Sequence, residues 1–226
     1  MNHHPSPPQQ VNLHSWRRRL TLLFVGLFLF GVGVAIMAQS RMGLGPWEAF
    51  HQGISRHTGL EIGTASILVG IPVLLGWIPL GQKPGIGTVL NILCIGVVTN
   101  AALRVLPLPE MLPMRLLWMV AGILTIGVGS GMYLSAQLGA GPRDGLMMGI
   151  YHRTGLSVRV SRTVVEVTVL ILGGLLGGTI GLGTVGFALG IGPVVQIVLH
   201  LLGAPPKNQQ PIPASGVIQP DTPLTH

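Results

Sequence analysis

Three acidic side chains occupy places where they could do chemistry: Glu48, Asp144 and Glu166. Glu48 ends the run Gly43-Leu44-Gly45-Pro46-Trp47-Glu48, and Asp144 ends Gly139-Ala140-Gly141-Pro142-Arg143-Asp144. Proline suits the first position of a helix, where its missing N–H costs nothing. Each acid therefore falls in a first helical turn, near the positive end of the helix dipole. Two roles fit that placement. The acids cap their helices, or they reach a central cavity from opposite faces and bind a cation or proton, or pair with a partner such as Arg143. Glu166 lies about one turn inside an apolar stretch, a depth at which ionisable groups usually face protein or water. Arg162 precedes it by four residues on the same helical face, so a structural pair and a cavity-lining proton or substrate group both fit. Asn91 is the deepest of several uncharged polar residues in apolar runs. It either bonds to a neighbouring helix or lines a path.

These residues belong to an internal repeat. Shifted by 96 residues, the chain aligns on itself without a gap. Gly31-Val32-Gly33 falls on Gly127-Val128-Gly129, and Thr58-Gly59-Leu60 falls on Thr154-Gly155-Leu156. Gly85-Ile86-Gly87-Thr88-Val89 falls on Gly181-Leu182-Gly183-Thr184-Val185, and Gly70 takes the place of Glu166. The glycines Gly43, Gly45, Gly139 and Gly141, with Pro46 and Pro142, form the structural motif: they permit a sharp turn and close backbone approach before a helix. That helix, about 11 residues over 47–57, rises only about 16 Å. It is expected to be interfacial or re-entrant rather than spanning, and Thr58-Gly59 and Thr154-Gly155 read as its stops.

The medium that positions these elements is lipid. Charged residues are 8% of the 226 and hydrophobic residues 48%, too few charges to clothe a soluble surface of this size. A span takes roughly 20 apolar residues. Leu20–Gln39, Ile62–Leu80, Gly85–Leu103 and Leu116–Leu138 each qualify. Thr163–Gly203 is long enough for two, with a turn near 177–181. Six spans in two gapless copies give three per half. An odd number makes the second copy enter from the other side, so the expected fold is an all-α membrane protein of two inverted three-helix repeats, over 18–106 and 114–203. Residues 1–17 and 204–226 are polar and Pro-rich and read as disordered cytoplasmic tails. Nine basic residues fall on the side of the termini, among them Arg17–Arg19, Arg143, Arg153, Arg159, Arg162 and Lys207, against four on the other: Arg41, Arg56, Arg104 and Arg115. The positive-inside rule then places both termini in the cytoplasm. Gly173-Gly174 and Gly177-Gly178 carry a small-x-x-x-small spacing suited to close helix packing.

Other chemistries lack their residues. The single cysteine, Cys94, excludes a disulfide framework or cysteine metal site. Nucleotide-phosphate loops, zinc-protease and serine-hydrolase motifs are absent. No catalytic residue, metal or cofactor is expected, and the spread of basic residues with few aromatics argues against nucleic acid. At Gly43–Glu48, with Gln52-Gly53, Thr58-Gly59-Leu60 and Gly81-Gln82-Lys83-Pro84-Gly85-Ile86-Gly87-Thr88, the chain resembles the YczE/YyaS/YitT-type family of bacterial multi-pass membrane proteins. Trp47-Glu48 stands where that family more often has Trp-Asp. The resemblance implies a bacterial cytoplasmic membrane and supplies no catalytic residues. Two functions remain open: a secondary transporter or permease-like protein for a small solute or ion, and a non-transporting scaffold or accessory factor for a partner assembly.

Overall fold

The computed structural model describes residues 13–203, and residues 1–12 of the tail expected over 1–17, with the whole of 204–226, Lys207 included, lie outside the described residues. The described chain is entirely helical: α1 (Leu13–Ser40), α2 (Pro46–Thr58), α3 (Ile62–Trp77), α4 (Ile86–Val105), α5 (Leu112–Ser135), α6 (Pro142–Thr154), α7 (Val158–Leu175) and α8 (Leu182–Leu201). Helix α1 begins at Leu13, inside the segment 1–17 read as a tail.

Among the described residues, four helices are long and apolar enough to cross a membrane: α1, α4, α5 and α8. Helices α2 and α3 together give a fifth candidate, bent by 109° at their junction. Two of the six expected spans are therefore weaker. Helix α3 has only 16 residues. Helix α7 has 18 but carries Arg159, Arg162 and Glu166, and it starts five residues before the expected Thr163. Large apolar side chains cover the outer face, with Val105, Leu175, Leu189 and Leu201 more than 70% exposed. Exposed apolar faces on this scale mark contact with another apolar phase, and the chain is a membrane protein that meets the bilayer.

The core is the α1–α5 pair. Gly26 lies against Gly129 and Tyr133, while Gly33 lies against Ile126 and Gly122, so the two helices run antiparallel. The contact is reciprocal, since Gly122 and Gly33 are the repeat equivalents of Gly26 and Gly129. Glycine is needed here, because a Cβ on Gly26 would come within 2.7 Å of the Gly129 carbonyl. Helix α4 packs on α1 as α8 packs on α5. Gly31 receives Val98, and Gly127 receives the equivalent Val194.

Backbone conformation repeats at the same shift. Left-handed φ values occur at Arg41 and Gln137 (55° and 53°), Gly43 and Gly139, Gly59 and Gly155, and Gly81 and Gly177. The two Gly-x-Gly-Pro loops also explain the two Gly-x-Gly-Thr blocks. Gly183 N–H donates to Met42 O at 2.8 Å, and Gly87 N–H donates to Leu138 O at 2.9 Å. Each loop thus docks on the start of the last helix of the other half. Glycines at 43 and 139 allow that approach, and any side chain there would also be strained at φ 117° and 143°.

The halves differ in how their outer helices close. Helix α3 packs along α4, whereas α7 and α8 barely touch. Gly63 and Gly96 bring the α3 and α4 backbones together, and a Cβ on Gly96 would lie 2.6 Å from Gly63 O. Asn100 clasps the seam, its Oδ1 accepting from Gly63 N–H at 2.7 Å and its Nδ2 donating to Thr64 Oγ1 at 2.9 Å. The equivalents of Gly63, Thr64 and Asn100 are Arg159, Val160 and Gln196, which cannot make that clasp. A second difference lies where α3 meets α6 and α2 meets α7. Trp77 fills the first junction, with its Nε1 donating to Pro142 O at 3.0 Å. Its equivalent is Gly173, whose bare backbone seats Ala49 and Phe50 of α2. Gly173 and Gly178 therefore seat the end of α7 and the turn after it against α2.

Candidate functional site

The α2 and α6 starts converge beside the α1–α5 core, each held by its Gly-Pro turn. Two cavities flank this junction. The first, about 80 Å³, is walled by Phe30, Val34, Trp47, Glu48, His51, Asn91 and Thr99, together with Pro142 and Arg143 from the other half. The second, about 670 Å³, is walled by Ser130, Arg143, Asp144, Met147, Arg162, Glu166 and Phe187, together with Pro46 from the first half.

The cavities are repeat equivalents. At a shift of 96, Val34 maps to Ser130, Trp47 to Arg143, Glu48 to Asp144, and His51 to Met147. Farther along, Ser66 maps to Arg162, Gly70 to Glu166, and Asn91 to Phe187. Every member of these pairs lines its own half's cavity. Pro46 and Pro142 exchange sides, each reaching the cavity of the opposite half. The larger volume follows from the α7–α8 seam, which is unsealed where α3 and α4 are shut. Arg143 and Tyr133 line both cavities and form the partition between them.

Glu48 is 95% buried by its 5% exposure, and its Oε2 has no hydrogen-bond partner. The carboxylate folds back over the α2 start, so close that Gly45 could not carry a Cβ without meeting Oε2 at 2.5 Å. No side-chain cap bond forms at Gly45. Capping alone thus leaves one carboxylate oxygen of Glu48 unused. Trp47 Nε1 in the first cavity and Ser130 Oγ in the second are likewise buried without partners. Bare polar groups at these depths are costly unless something meets them.

Arg143 is the cation at the centre. Its guanidinium lies 5.7 Å from the Phe30 ring centroid. The charges of Glu48, Glu166 and Asp144 all act on it. Asp144 accepts from Tyr133 OH at a long 3.4 Å. The structure therefore brings Glu48, Asp144, Arg143 and Glu166 around one partition, with Asn91 facing Glu48's cavity. Arg162 lines the second cavity with Glu166 but makes no ion pair with it among the described residues. Arg143 is turned inward, so it does not belong among the loop cations of one membrane face.

Among the wall residues, His51, Trp47 and Tyr133 carry no clear mark in the sequence as parts of a site. His51 follows Glu48 by three residues on one face of α2, a spacing that could have flagged it, but no group of three His, Cys, Asp or Glu could hold a metal among the described residues. Trp47 and Tyr133 read as ordinary aromatic residues. The available signal was that Trp47 is the repeat equivalent of Arg143, which puts an aromatic and a cation at matched sites.

No solved structure matches the chain. An uncharacterised protein of Haemophilus influenzae is 41% identical over 189 residues, covering 84% of this chain and 87% of its own length. The uncharacterised membrane protein YczE of Bacillus subtilis is 36% identical over 80% of this chain and 85% of its own length. The uncharacterised protein YyaS of the same organism is 27% identical over 71% of this chain and 82% of its own. The model of a family of unknown function, DUF6198, matches residues 17–200. With that span and those relatives, the chain belongs to the DUF6198 family, in keeping with its YczE- and YyaS-like motifs.

Proposed function

We propose that the chain is a non-enzymatic, permease-like secondary transporter of the bacterial cytoplasmic membrane, built as two inverted three-span repeats. In this reading α1, α3, α4, α5, α7 and α8 cross the bilayer, and α2 and α6 are re-entrant half-helices. At 16 and 18 residues, α3 and α7 rise about 24 and 27 Å, and local thinning or flanking turns make up so small a mismatch. The antiparallel α1–α5 packing supports the inversion. Without Arg143 and Arg162, which line the cavities, seven basic residues against four still favour cytoplasmic termini.

The observation that carries the functional reading is the pair of equivalent cavities, one small and one large, meeting at a charged partition. An inverted duplication can exchange these two shapes without inventing a new fold. Closing α7 on α8 while opening α3 from α4 would swap the cavities and expose the partition to the other side. Charged side chains inside an apolar bundle fit a solute or ion pathway. A scaffold has no use for an unpartnered buried carboxylate or for a matched pair of cavities.

Flux into proteoliposomes tests the reading. A solute or ion gradient is expected to drive uptake that Glu48→Gln and Arg143→Gln each reduce at least about tenfold, the size expected for losing a charge-assisted contact of 1.5–3 kcal/mol. Absence of flux across a broad panel of ions and small solutes, with specific co-purification of a partner, would favour the scaffold.

A further inference from the structure

We propose that the smaller cavity is a binding site for a small organic monovalent cation, a guanidinium or alkylammonium group, with Glu48 as its counter-ion. This rests on the permease reading for its purpose and on the cavity itself for its chemistry. Glu48 is 95% buried by its 5% exposure, lines the cavity and keeps Oε2 without a partner. Phe30, Trp47 and Tyr133 form walls beside it. A carboxylate set among aromatic faces is the arrangement that holds organic cations, through charge and ring quadrupole together.

The structure already places one such cation there. The Arg143 guanidinium sits beside Phe30 at 5.7 Å and within the field of Glu48. It is tethered to α6 and shared with Glu166 and Asp144. Of the carboxylates around the partition, Glu48 is the one whose Oε2 is buried without a hydrogen-bond partner, and that oxygen faces the smaller cavity's wall residues. His51, on the α2 face beside Trp47, and the Tyr133 phenol are the remaining titratable groups of the cavity.

A bare alkali ion fits less well. The wall offers a single carboxylate among side chains that are mostly apolar or aromatic, a poor replacement for the hydration shell of a bare ion. An organic cation needs fewer oxygens and uses the rings. A cavity of about 80 Å³ has room for a group of guanidinium size.

The test uses the purified full chain in nanodiscs of phosphatidylethanolamine and phosphatidylglycerol, with radiolabelled guanidinium and methylammonium as probes at constant ionic strength. Saturable binding is expected, weakened at least about tenfold by Glu48→Gln, as for a lost charge-assisted contact, and little changed by Glu166→Gln in the other cavity. No saturable binding of either probe, or binding indifferent to Glu48→Gln, overturns the proposal. Should Glu48→Gln not fold, Asn91→Cys in a Cys94→Ala background keeps Glu48 intact. Its modification by a cationic ethylammonium thiosulfonate is expected to outpace the anionic ethylsulfonate reagent and to slow with added guanidinium. Equal rates, or faster anionic modification, overturn it. Neither assay reads transport, so binding without flux would sink the permease reading and leave this site standing, and flux without binding would do the reverse.

Discussion

Glu48 and Asp144 occupy the same place in their repeats and have come to differ. Asp144 accepts from Tyr133, whereas Glu48 is deeper and keeps a bare oxygen. The position of both acids was legible in the sequence, because a Gly-Pro start fixes the first turn of a helix. Their surroundings were not. Arg143 reads from sequence as a loop cation, and only the packing of α6 against α3 and α7, which turns its guanidinium toward Phe30, makes it the shared counter-charge. Two other residues carry a cost that the sequence does not display. Arg41 and Gln137 hold left-handed φ angles of 55° and 53°, a conformation that costs a side-chain-bearing residue about 1 kcal/mol or more. Arg41→Gly and Gln137→Gly are therefore expected to raise the midpoint of thermal unfolding in detergent, by about 1 kcal/mol of stability each. A fall in the midpoint for both would mean that their side chains hold the loops more strongly than the backbone resists.

At the scale of elements, glycine decides which seams close. Gly96 is equivalent to Gly192, yet a Cβ on Gly96 would collide with Gly63 O and Ile67, while around Gly192 nothing lies within 4 Å. Gly96→Val is expected to destabilise the protein by about 1–3 kcal/mol, because it overpacks the α3–α4 seam. Gly192→Val is expected to leave thermal stability nearly unchanged and to depress flux, because it obstructs α7 from closing on α8. Thermal unfolding followed by size-exclusion chromatography, beside the flux assay, separates the two effects. Equal destabilisation at both sites would mean that α7 and α8 already pack as tightly as α3 and α4. Helix existence was legible throughout from apolar runs and Gly-Pro starts. Boundaries drifted where polar residues extend a helix, as at Leu13 and Val158, since backbone hydrogen bonding continues past the end of the apolar run.

At the scale of the whole molecule, the gapless 96-residue repeat made the organisation readable, and the backbone repeats its left-handed turns at that same shift. The cavities were not readable, because they depend on differences between the halves. Asn100 against Gln196, Gly63 against Arg159 and Trp77 against Gly173 look in sequence like drift within a duplication. In space the first two pairs shut the α3–α4 seam and leave α7–α8 apart, and the third sets how closely α7 seats α2. The central claim is that these two arrangements exchange. Spin labels on outward residues measure this directly in lipid: one pair at Leu68→Cys and Leu93→Cys across α3–α4, and the equivalent pair at Val164→Cys and Leu189→Cys across α7–α8, both in a Cys94→Ala background. The account predicts two distances for each pair, with the α3–α4 pair mostly short when the α7–α8 pair is mostly long, and with the balance reversed in the other conformation. A single, unchanging distance for both pairs, in the presence and absence of guanidinium and of an ion gradient, would contradict it.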